Sequence, residues 1–306
     1  MKRLTAIALA PLLCLAFSIP AAADSVTVQG NYIQLGVGNN GALIDYTTFT
    51  GIKFDPTGSG NFSGPIDYLT PGTPFAFYSL GVNGSYRTAG GFDPDNNLFG
   101  TTTVDLTPAA GMPFVLTKDG TMDGLQFKQV ISFDADSHSI SATVTFKNIS
   151  GSTIDNVVYA VGLDPDQDIT YPESEAFDTD NLIGGQGAAA SVTAIGPGDG
   201  YGITLANTSG WADTIATIYR AEPWPTDPYQ LASVFRNDGF GDNSINLGYD
   251  LGSFAVGQEK TIGYNYTLFV SPVPEPQVVA MMLCGLCLLG RKARREAQKI
   301  SAATPA

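Results

Sequence analysis

Cysteine is absent from the central body of this 306-residue chain, residues 24–271. The three cysteines, Cys14, Cys284 and Cys287, all lie in apolar runs at the two ends. The body therefore has no disulfide, no thiolate metal site and no cysteine nucleophile. Cys284 and Cys287 have the spacing of a redox motif, but inside an apolar segment that spacing indicates packing.

Histidine and basic residues are also scarce. The single histidine, His138, lies in a polar turn, which favours a surface residue over a general base. One histidine also excludes a histidine-based zinc enzyme. Residues 24–272 contain 27 acidic and 8 basic residues, which leaves 19 net negative charges. Such a surface repels nucleic acid and anionic lipid, excludes both as partners, and attracts cations.

Long apolar runs occur at the two ends of the chain and not in the body. At the start, Lys2 and Arg3 precede an apolar run over residues 6–19, and Pro20 and three alanines follow it. A basic start, an apolar core and a small-residue site are typical of a secretory signal peptide. We therefore expect residues 1–23 to be a signal peptide that is cleaved after Ala23.

The C-terminal end combines a short motif, an apolar run and a basic cluster. Pro274, Glu275 and Pro276 precede an apolar run over residues 278–290. The basic cluster that follows consists of Arg291, Lys292, Arg294 and Arg295. The run has 13 residues, and a helix of that length spans about 20 Å, less than the ~30 Å of a bilayer core. We therefore expect a marginal anchor with its basic cluster on the cytoplasmic side.

Residues 272–295 resemble the PEP-CTERM sorting signal of exported proteins in Gram-negative bacteria. The resemblance implies export by the general secretion machinery, transient insertion in the inner membrane, and cleavage by an exosortase near Pro274-Glu275-Pro276. It also implies a secreted or cell-surface protein in bacteria that make extracellular polysaccharide. The last residues, 296–306, are predicted to be a disordered cytoplasmic tail.

The body over residues 24–271 is predicted to be one antiparallel β-sandwich. Charged residues make up only 14% of the chain, against a typical ~25%, and 35 glycines and 19 prolines accompany many Ser, Thr, Asn and Asp residues. This composition favours short strands and turns over helices. About a dozen short segments with two-residue periodicity then predict a large sandwich of the supersandwich kind. The predicted strands are 32–37, 42–48, 75–81, 101–106, 125–133, 140–146, 154–163, 191–195, 202–205, 214–219 and 261–270.

An acidic segment after the predicted strand 154–163 has the spacing of a calcium loop. Asp164, Asp166 and Asp168 occupy positions 1, 3 and 5 of that loop, and Glu175 occupies position 12. Oxygen ligands at these positions suit calcium. Ile169 stands where the motif has glycine, and a strand precedes the loop, so an EF-hand is not expected. Two interpretations remain, a looser calcium loop on a β scaffold and a solvated acidic turn.

A proline-rich loop over residues 221–229 carries aromatic and acidic side chains. Trp224 and Tyr229 in this loop are candidate contacts for a carbohydrate. The alternative is a rigid loop that packs Trp224 on the sandwich. No catalytic residues are assigned, although the many acidic residues leave a glycoside-hydrolysing carboxylate pair open.

Together these features predict an exported, non-enzymatic protein of the cell surface or the biofilm matrix, sorted by an exosortase. Calcium is the one candidate cofactor. Extracellular polysaccharide is a candidate partner of this matrix protein. The alternative prediction is a secreted protein that binds or acts on carbohydrate.

Overall fold

The computed structural model describes residues 25–64, 66–92, 114–167, 177–198, 200–220 and 223–271, together with 286, 289–292 and 294. The predicted signal peptide, the Pro274-Glu275-Pro276 motif, Arg295 and the predicted strand 101–106 lie outside these residues. The described residues near the C-terminus, among them Arg291, Lys292 and Arg294, are helical and exposed. In the described part of the chain, no helix has the length and apolar character needed to cross a membrane.

The described body is all-β and antiparallel, which confirms the predicted class. Its strands are β1 (Ser25–Gln29), β2 (Ile33–Gly38), β3 (Ile52–Phe54), β4 (Ala76–Val82), β5 (Ser85–Gly90), β6 (Phe114–Met122), β7 (Leu125–Phe133), β8 (Ser139–Asn148), β9 (Ile154–Leu163), β10 (Asp180–Gly185), β11 (Ser191–Ile195), β12 (Tyr201–Asn207), β13 (Thr214–Tyr219), β14 (Ser244–Phe254) and β15 (Glu259–Val270). The described part of the body also contains a short α-helix, α1 (Pro228–Leu231).

The strands form three antiparallel sheets. A seven-stranded sheet has the order β10-β11-β12-β15-β8-β7-β6, and a five-stranded sheet has the order β13-β14-β9-β4-β5. A small sheet, β1-β2-β3, accompanies them. The two larger sheets share one buried core, to which both contribute side chains.

Two hairpin turns connect strands whose partners the periodicity did not reveal. Asn83 and Gly84 join β4 to β5 with φ of 52° and 85°, and Asp123 and Gly124 join β6 to β7 with φ of 47° and 82°. Positive φ at both central residues is the geometry of the type I′ turn, which favours Asn-Gly and Asp-Gly. These dipeptides were therefore the available sequence signals for β5 and β6.

The predicted strand over residues 42–48 is wrong, because this segment forms turns around Asp45. The Asp45 carboxylate accepts hydrogen bonds from the Thr27 hydroxyl at 2.6 Å, the Thr47 backbone N–H at 2.8 Å and the Thr48 hydroxyl at 2.9 Å. An aspartate that binds backbone and hydroxyl groups two and three residues ahead stabilises a turn in place of a strand. The apolar residues before it are buried in a loop.

The two large sheets differ in how many of their faces are buried. In β7 and β8 of the seven-stranded sheet, buried residues alternate with exposed or half-buried ones, as in a sheet with one face against the core. In β4 every residue is buried, and in β9 every residue from Val157 to Leu163 is buried. Tyr78 and Tyr159 on these strands belong to the core between the sheets, whereas Phe77 and Ala160 belong to a second apolar cluster. The five-stranded sheet is therefore covered on both faces.

A chain of polar groups crosses the core between the two sheets. The Gln129 Nε2 of β7 donates to the Tyr264 hydroxyl of β15 at 2.8 Å, and that hydroxyl lies 3.3 Å from the Tyr159 hydroxyl of β9. Burial raises the pKa of Tyr264 to about 12, so its hydroxyl stays protonated at neutral pH. Each buried polar group in such a network depends on its partner, because an unpaired one costs about 1–3 kcal/mol.

We predict that Tyr264→Phe lowers the free energy of unfolding by about 1–3 kcal/mol, because it leaves the buried Gln129 amide without its acceptor. Urea unfolding of the full chain measures this change. The double variant with Gln129→Leu removes both partners and should recover part of the loss. A double variant that is less stable than Tyr264→Phe would contradict this account.

Candidate functional site

Residues 223–236 cover the outer face of the five-stranded sheet, the face that does not pack on the seven-stranded sheet. A Cβ atom at Gly248 of β14 would lie 2.2 Å from the carbonyl oxygen of Leu231 in α1, so glycine permits this close approach. Asp227 caps α1, since its Oδ1 accepts the Tyr229 backbone N–H at 2.9 Å, and Pro228 occupies the first helical turn. The cap and the proline fix the course of the covering segment.

The cover is incomplete and leaves a cleft of about 730 Å³ beside the sheet. Its aromatic lining comes from four separate parts of the chain and consists of Phe75, Tyr86, Phe92, Tyr219 and Trp224. Tyr86 and Phe92 expose 45% and 42% of their surface, so aromatic faces are available to a ligand. The cleft falls within the size range, ~300–1,000 Å³, of small-molecule sites.

Trp224 both packs on the sheet and lines the cleft, so the structure combines the two interpretations of its loop. Its ring lies 5.0 Å from that of Phe75 at an interplanar angle of 45°. Phe75 in turn stacks on Phe92 at 5.3 Å and 17°. The Trp224 Nε1 is buried and has no hydrogen-bond acceptor among the described residues. The three rings form one continuous aromatic wall.

Tyr229, the other predicted carbohydrate contact, lies outside the residues that line this cleft. Its hydroxyl accepts the Gly84 backbone N–H at 2.8 Å and lies 3.2 Å from the Asn156 carbonyl oxygen. Its ring packs against Gly81, where an added Cβ would lie 2.8 Å from the ring atoms. Tyr229 therefore attaches the covering segment to the β4–β5 hairpin.

The polar side chains of the cleft include Asp227, Gln230 and Arg236. The Arg236 guanidinium lies 5.0 Å from the centre of the Tyr219 ring, and its Nε donates to Asp238 Oδ2 at 2.7 Å. Asp238 also accepts the Arg220 backbone N–H at 2.7 Å. Burial acts to raise the pKa of Asp238, but these hydrogen bonds outweigh it, so the pKa lies below its usual value and the carboxylate is ionised.

A second cluster contains acidic residues from two separate loops. Asp164, Asp166 and Asp242 each offer a carboxylate oxygen, and these oxygens all lie within 4.8 Å of one another. Asp164 and Asp166 are buried at the end of β9, and Asp242 is exposed before β14. The backbone N–H groups of Asp164 and Asp166 donate to the carbonyl oxygens of Phe75 and Tyr68, both at 2.8 Å, which fixes this loop.

The acidic cluster differs from the calcium loop that the sequence predicted. Asp164 and Asp166 take part in it, whereas Asp168 and Glu175 lie outside the described residues. Asp242 joins from a distant part of the sequence, and no spacing rule for a local loop could have found it. Burial and the charge of Asp242 together raise the pKa of Asp166 to about 8.

The acidic cluster can hold a metal ion. Calcium binds oxygen ligands at ~2.3–2.6 Å, so two ligands on one ion lie at most about 5 Å apart. The three carboxylate oxygens meet that limit as they stand. A divalent ion would also offset the repulsion between carboxylates that raises the pKa of Asp166.

His138 does not line the cleft and does not belong to the acidic cluster. Its ring is 4.2 Å from that of Tyr32 and 5.2 Å from that of Phe54, beside the small sheet. These aromatic contacts give it a packing role.

This chain resembles solved structures in fold, but its sequence matches no protein-family model and no curated protein. A bacterial glucoamylase complexed with acarbose aligns over 86% of this chain and 34% of its own, at 11% identity and a TM-score of 0.47. A TPR-domain containing protein from Parabacteroides distasonis aligns over 81% and 47%, at 10% identity and 0.46. A galactose mutarotase related enzyme from Lactobacillus acidophilus aligns over 80% and 97%, at 10% identity and 0.41. These TM-scores are all below 0.5, so the similarities carry no argument about activity or ligand.

Proposed function

We propose that this protein binds a saccharide in the cleft between the five-stranded sheet and residues 223–236. The observation that carries the proposal is the aromatic wall of Trp224, Phe75 and Phe92, with Tyr86 exposed beside it. A sugar ring has apolar C–H faces and a polar edge of hydroxyl groups. Flat aromatic side chains suit the faces, and a few fixed polar groups suit the edge.

The polar lining supplies both kinds of hydrogen-bonding group that hydroxyls need. Arg236 donates, Asp227 accepts, and the Gln230 amide does both. The capped helix and the prolines of the covering segment hold these groups in place before a ligand arrives. Such preorganisation reduces the entropy lost on binding.

Saccharide binding in this cleft is consistent with the expectation that the protein is exported. We propose that the chain reaches the cell surface through its signal peptide and the sorting signal at Pro274-Glu275-Pro276, and that the cleft binds polysaccharide there. The net charge of −19 over residues 24–272 disfavours nucleic acid and anionic lipid as alternative partners. We propose binding without cleavage, so the saccharide should be recovered intact after incubation.

We predict that Tyr86→Ala weakens saccharide binding by about fivefold, because one aromatic contact is worth about 1 kcal/mol. Tyr86 is exposed, so the variant should keep the melting temperature of the parent. Trp224→Ala should abolish binding. A glycan array selects the saccharide, and isothermal titration calorimetry measures its affinity.

Phe49→Ala is the matched control for the cleft variants. Phe49 is an aromatic residue of comparable exposure, 52%, beside the small sheet and not in the cleft lining. The Phe49→Ala variant should bind the saccharide with the affinity of the parent. The proposal fails if no saccharide binds, or if Tyr86→Ala and Phe49→Ala behave alike.

The sorting proposal predicts loss of the C-terminal end in a host that has an exosortase. Mass spectrometry of the mature protein should find chains that end near residues 274–276. Replacing Pro274 and Pro276 by alanine should leave residues 291–306 attached. Finding that segment on most parent molecules in such a host would rule the proposal out.

We further propose that Asp164, Asp166 and Asp242 bind a metal ion and that this ion is calcium. Oxygen ligands, the span of up to 4.8 Å and the acidic charge of the body support this choice. Extracellular calcium sites are weak, with Kd on the order of 10⁻⁴–10⁻³ M, so millimolar calcium would be needed to fill it.

In the absence of divalent ions, stability should fall as the pH rises from about 5 to about 8. Burial and Asp242 raise the pKa of Asp166 from 3.8 to about 8, so the folded state keeps a proton that the unfolded chain releases. Folding is therefore favoured at low pH and loses this contribution as the pH approaches 8. Thermal unfolding against pH measures the effect, and millimolar calcium at pH 8 should reverse it.

Asp166→Asn should flatten this pH dependence and remove most of the calcium response. Asp180→Asn is the control, because Asp180 is exposed and lies outside the cluster. Screening of the general negative charge would act equally on both variants. An equal calcium response in the two variants therefore excludes a specific site.

A further inference from the structure

We infer that the cleft selects neutral saccharides over acidic ones such as uronic-acid polymers. This inference rests on the proposed saccharide binding and names the ligand class of the same site. It follows from the two charged side chains that line the cleft, Asp227 and Arg236, and from the ion pair that Arg236 forms with Asp238 outside the lining.

Arg236 is the one cationic side chain among the described residues that line the cleft. A uronate would need it as the partner for its carboxylate, since arginine binds carboxylates through paired N–H groups. The Nε of Arg236 already donates to Asp238 at 2.7 Å, and the guanidinium lies over the Tyr219 ring. Its charge is therefore largely compensated before any ligand enters.

Asp227 adds a negative charge to the same lining. Its Oδ1 caps α1 and its carboxylate lines the cleft. A ligand carboxylate in the cleft would thus meet Asp227 and an arginine that is already paired with Asp238 behind it, within a body of 19 net negative charges. The carboxylate of Asp227 would repel the ligand carboxylate inside the cleft. The negative field of the body also slows the approach of a polyanion.

A neutral sugar does not meet this penalty. The Arg236 N–H groups that do not bind Asp238 can still donate to a hydroxyl, and the carboxylate of Asp227 can accept from one. The aromatic wall is indifferent to ligand charge. The cleft therefore offers a neutral sugar all the contacts it needs, whereas it repels the carboxylate of an acidic sugar.

The test compares matched hexasaccharides on the full-length protein by isothermal titration calorimetry. The neutral probes are the α-1,4- and β-1,4-linked glucose hexasaccharides, and the acidic probes are the galacturonate and mannuronate hexasaccharides. A neutral probe should bind at least tenfold more tightly than either acidic probe at ~0.15 M salt. Affinity for the neutral probe should be unchanged by salt, because no net charge is paired on binding.

Asp238→Asn tests the role of the ion pair directly. The asparagine Oδ1 can still accept the Arg220 N–H, so the loop keeps this contact while Arg236 loses its counter-charge. Binding of the galacturonate hexasaccharide should then strengthen by about fivefold, the upper range for an exposed ion pair. Neutral binding should stay within a factor of two.

The outcomes separate the two proposals. Binding of an acidic probe as tightly as the neutral ones overturns the neutral-ligand inference and leaves saccharide binding intact. Failure of all four probes, together with silence on the glycan array, overturns saccharide binding itself. If Asp238→Asn fails to fold, a salt titration of the parent with the acidic probes decides. Screening of the repulsion should raise their affinity as salt increases, and an affinity that falls with salt would overturn the inference.

Discussion

The five-stranded sheet must be covered on both faces, and the proposed site is a consequence of that requirement. Its central strands carry buried residues in unbroken succession, as β4 and the second half of β9 show. One face packs on the seven-stranded sheet. Burying the side chains of the other face, such as Phe77 and Ala160, needs a further layer, because a large apolar side chain like that of Phe77 would forgo about 1.5–3 kcal/mol if exposed.

The layer that covers this face consists of a loop and one short helix. It leaves part of the face uncovered. Glycines at the contacts let the segment approach closely, and Tyr229 attaches it to the β4–β5 hairpin. Where the segment ends, aromatic side chains stay partly exposed and form the cleft. The same residues thus stabilise the sheet and present a ligand surface.

The sequence was sufficient to predict the strands with regular alternation and insufficient to predict the site. The predicted limits of β7 and β9 match the observed ones. The alternation of β7 and the apolar run of β9 after a glycine-containing turn are both local information. The prediction of a strand over residues 42–48 is wrong because the hydrogen bonds of Asp45 outweigh strand propensity. The proline-rich loop made Trp224 a candidate ligand contact, whereas Phe75, Tyr86, Phe92 and Arg236 carry no local signal. Asp242 was missed for the same reason, since only the fold brings it to Asp164 and Asp166.

The central claim, that Trp224 lies in a saccharide-binding cleft, can be tested through the two tryptophans of the chain. Trp211 is outside the cleft lining and donates its Nε1 to the Asp250 carbonyl oxygen at 2.8 Å. In Trp211→Phe the emission comes from Trp224 alone, and titration with the glycan-array saccharide should shift it saturably. Trp224→Phe should leave Trp211 emission constant over the same titration. An unchanged spectrum in Trp211→Phe, or a saturable shift in Trp224→Phe, would contradict the account.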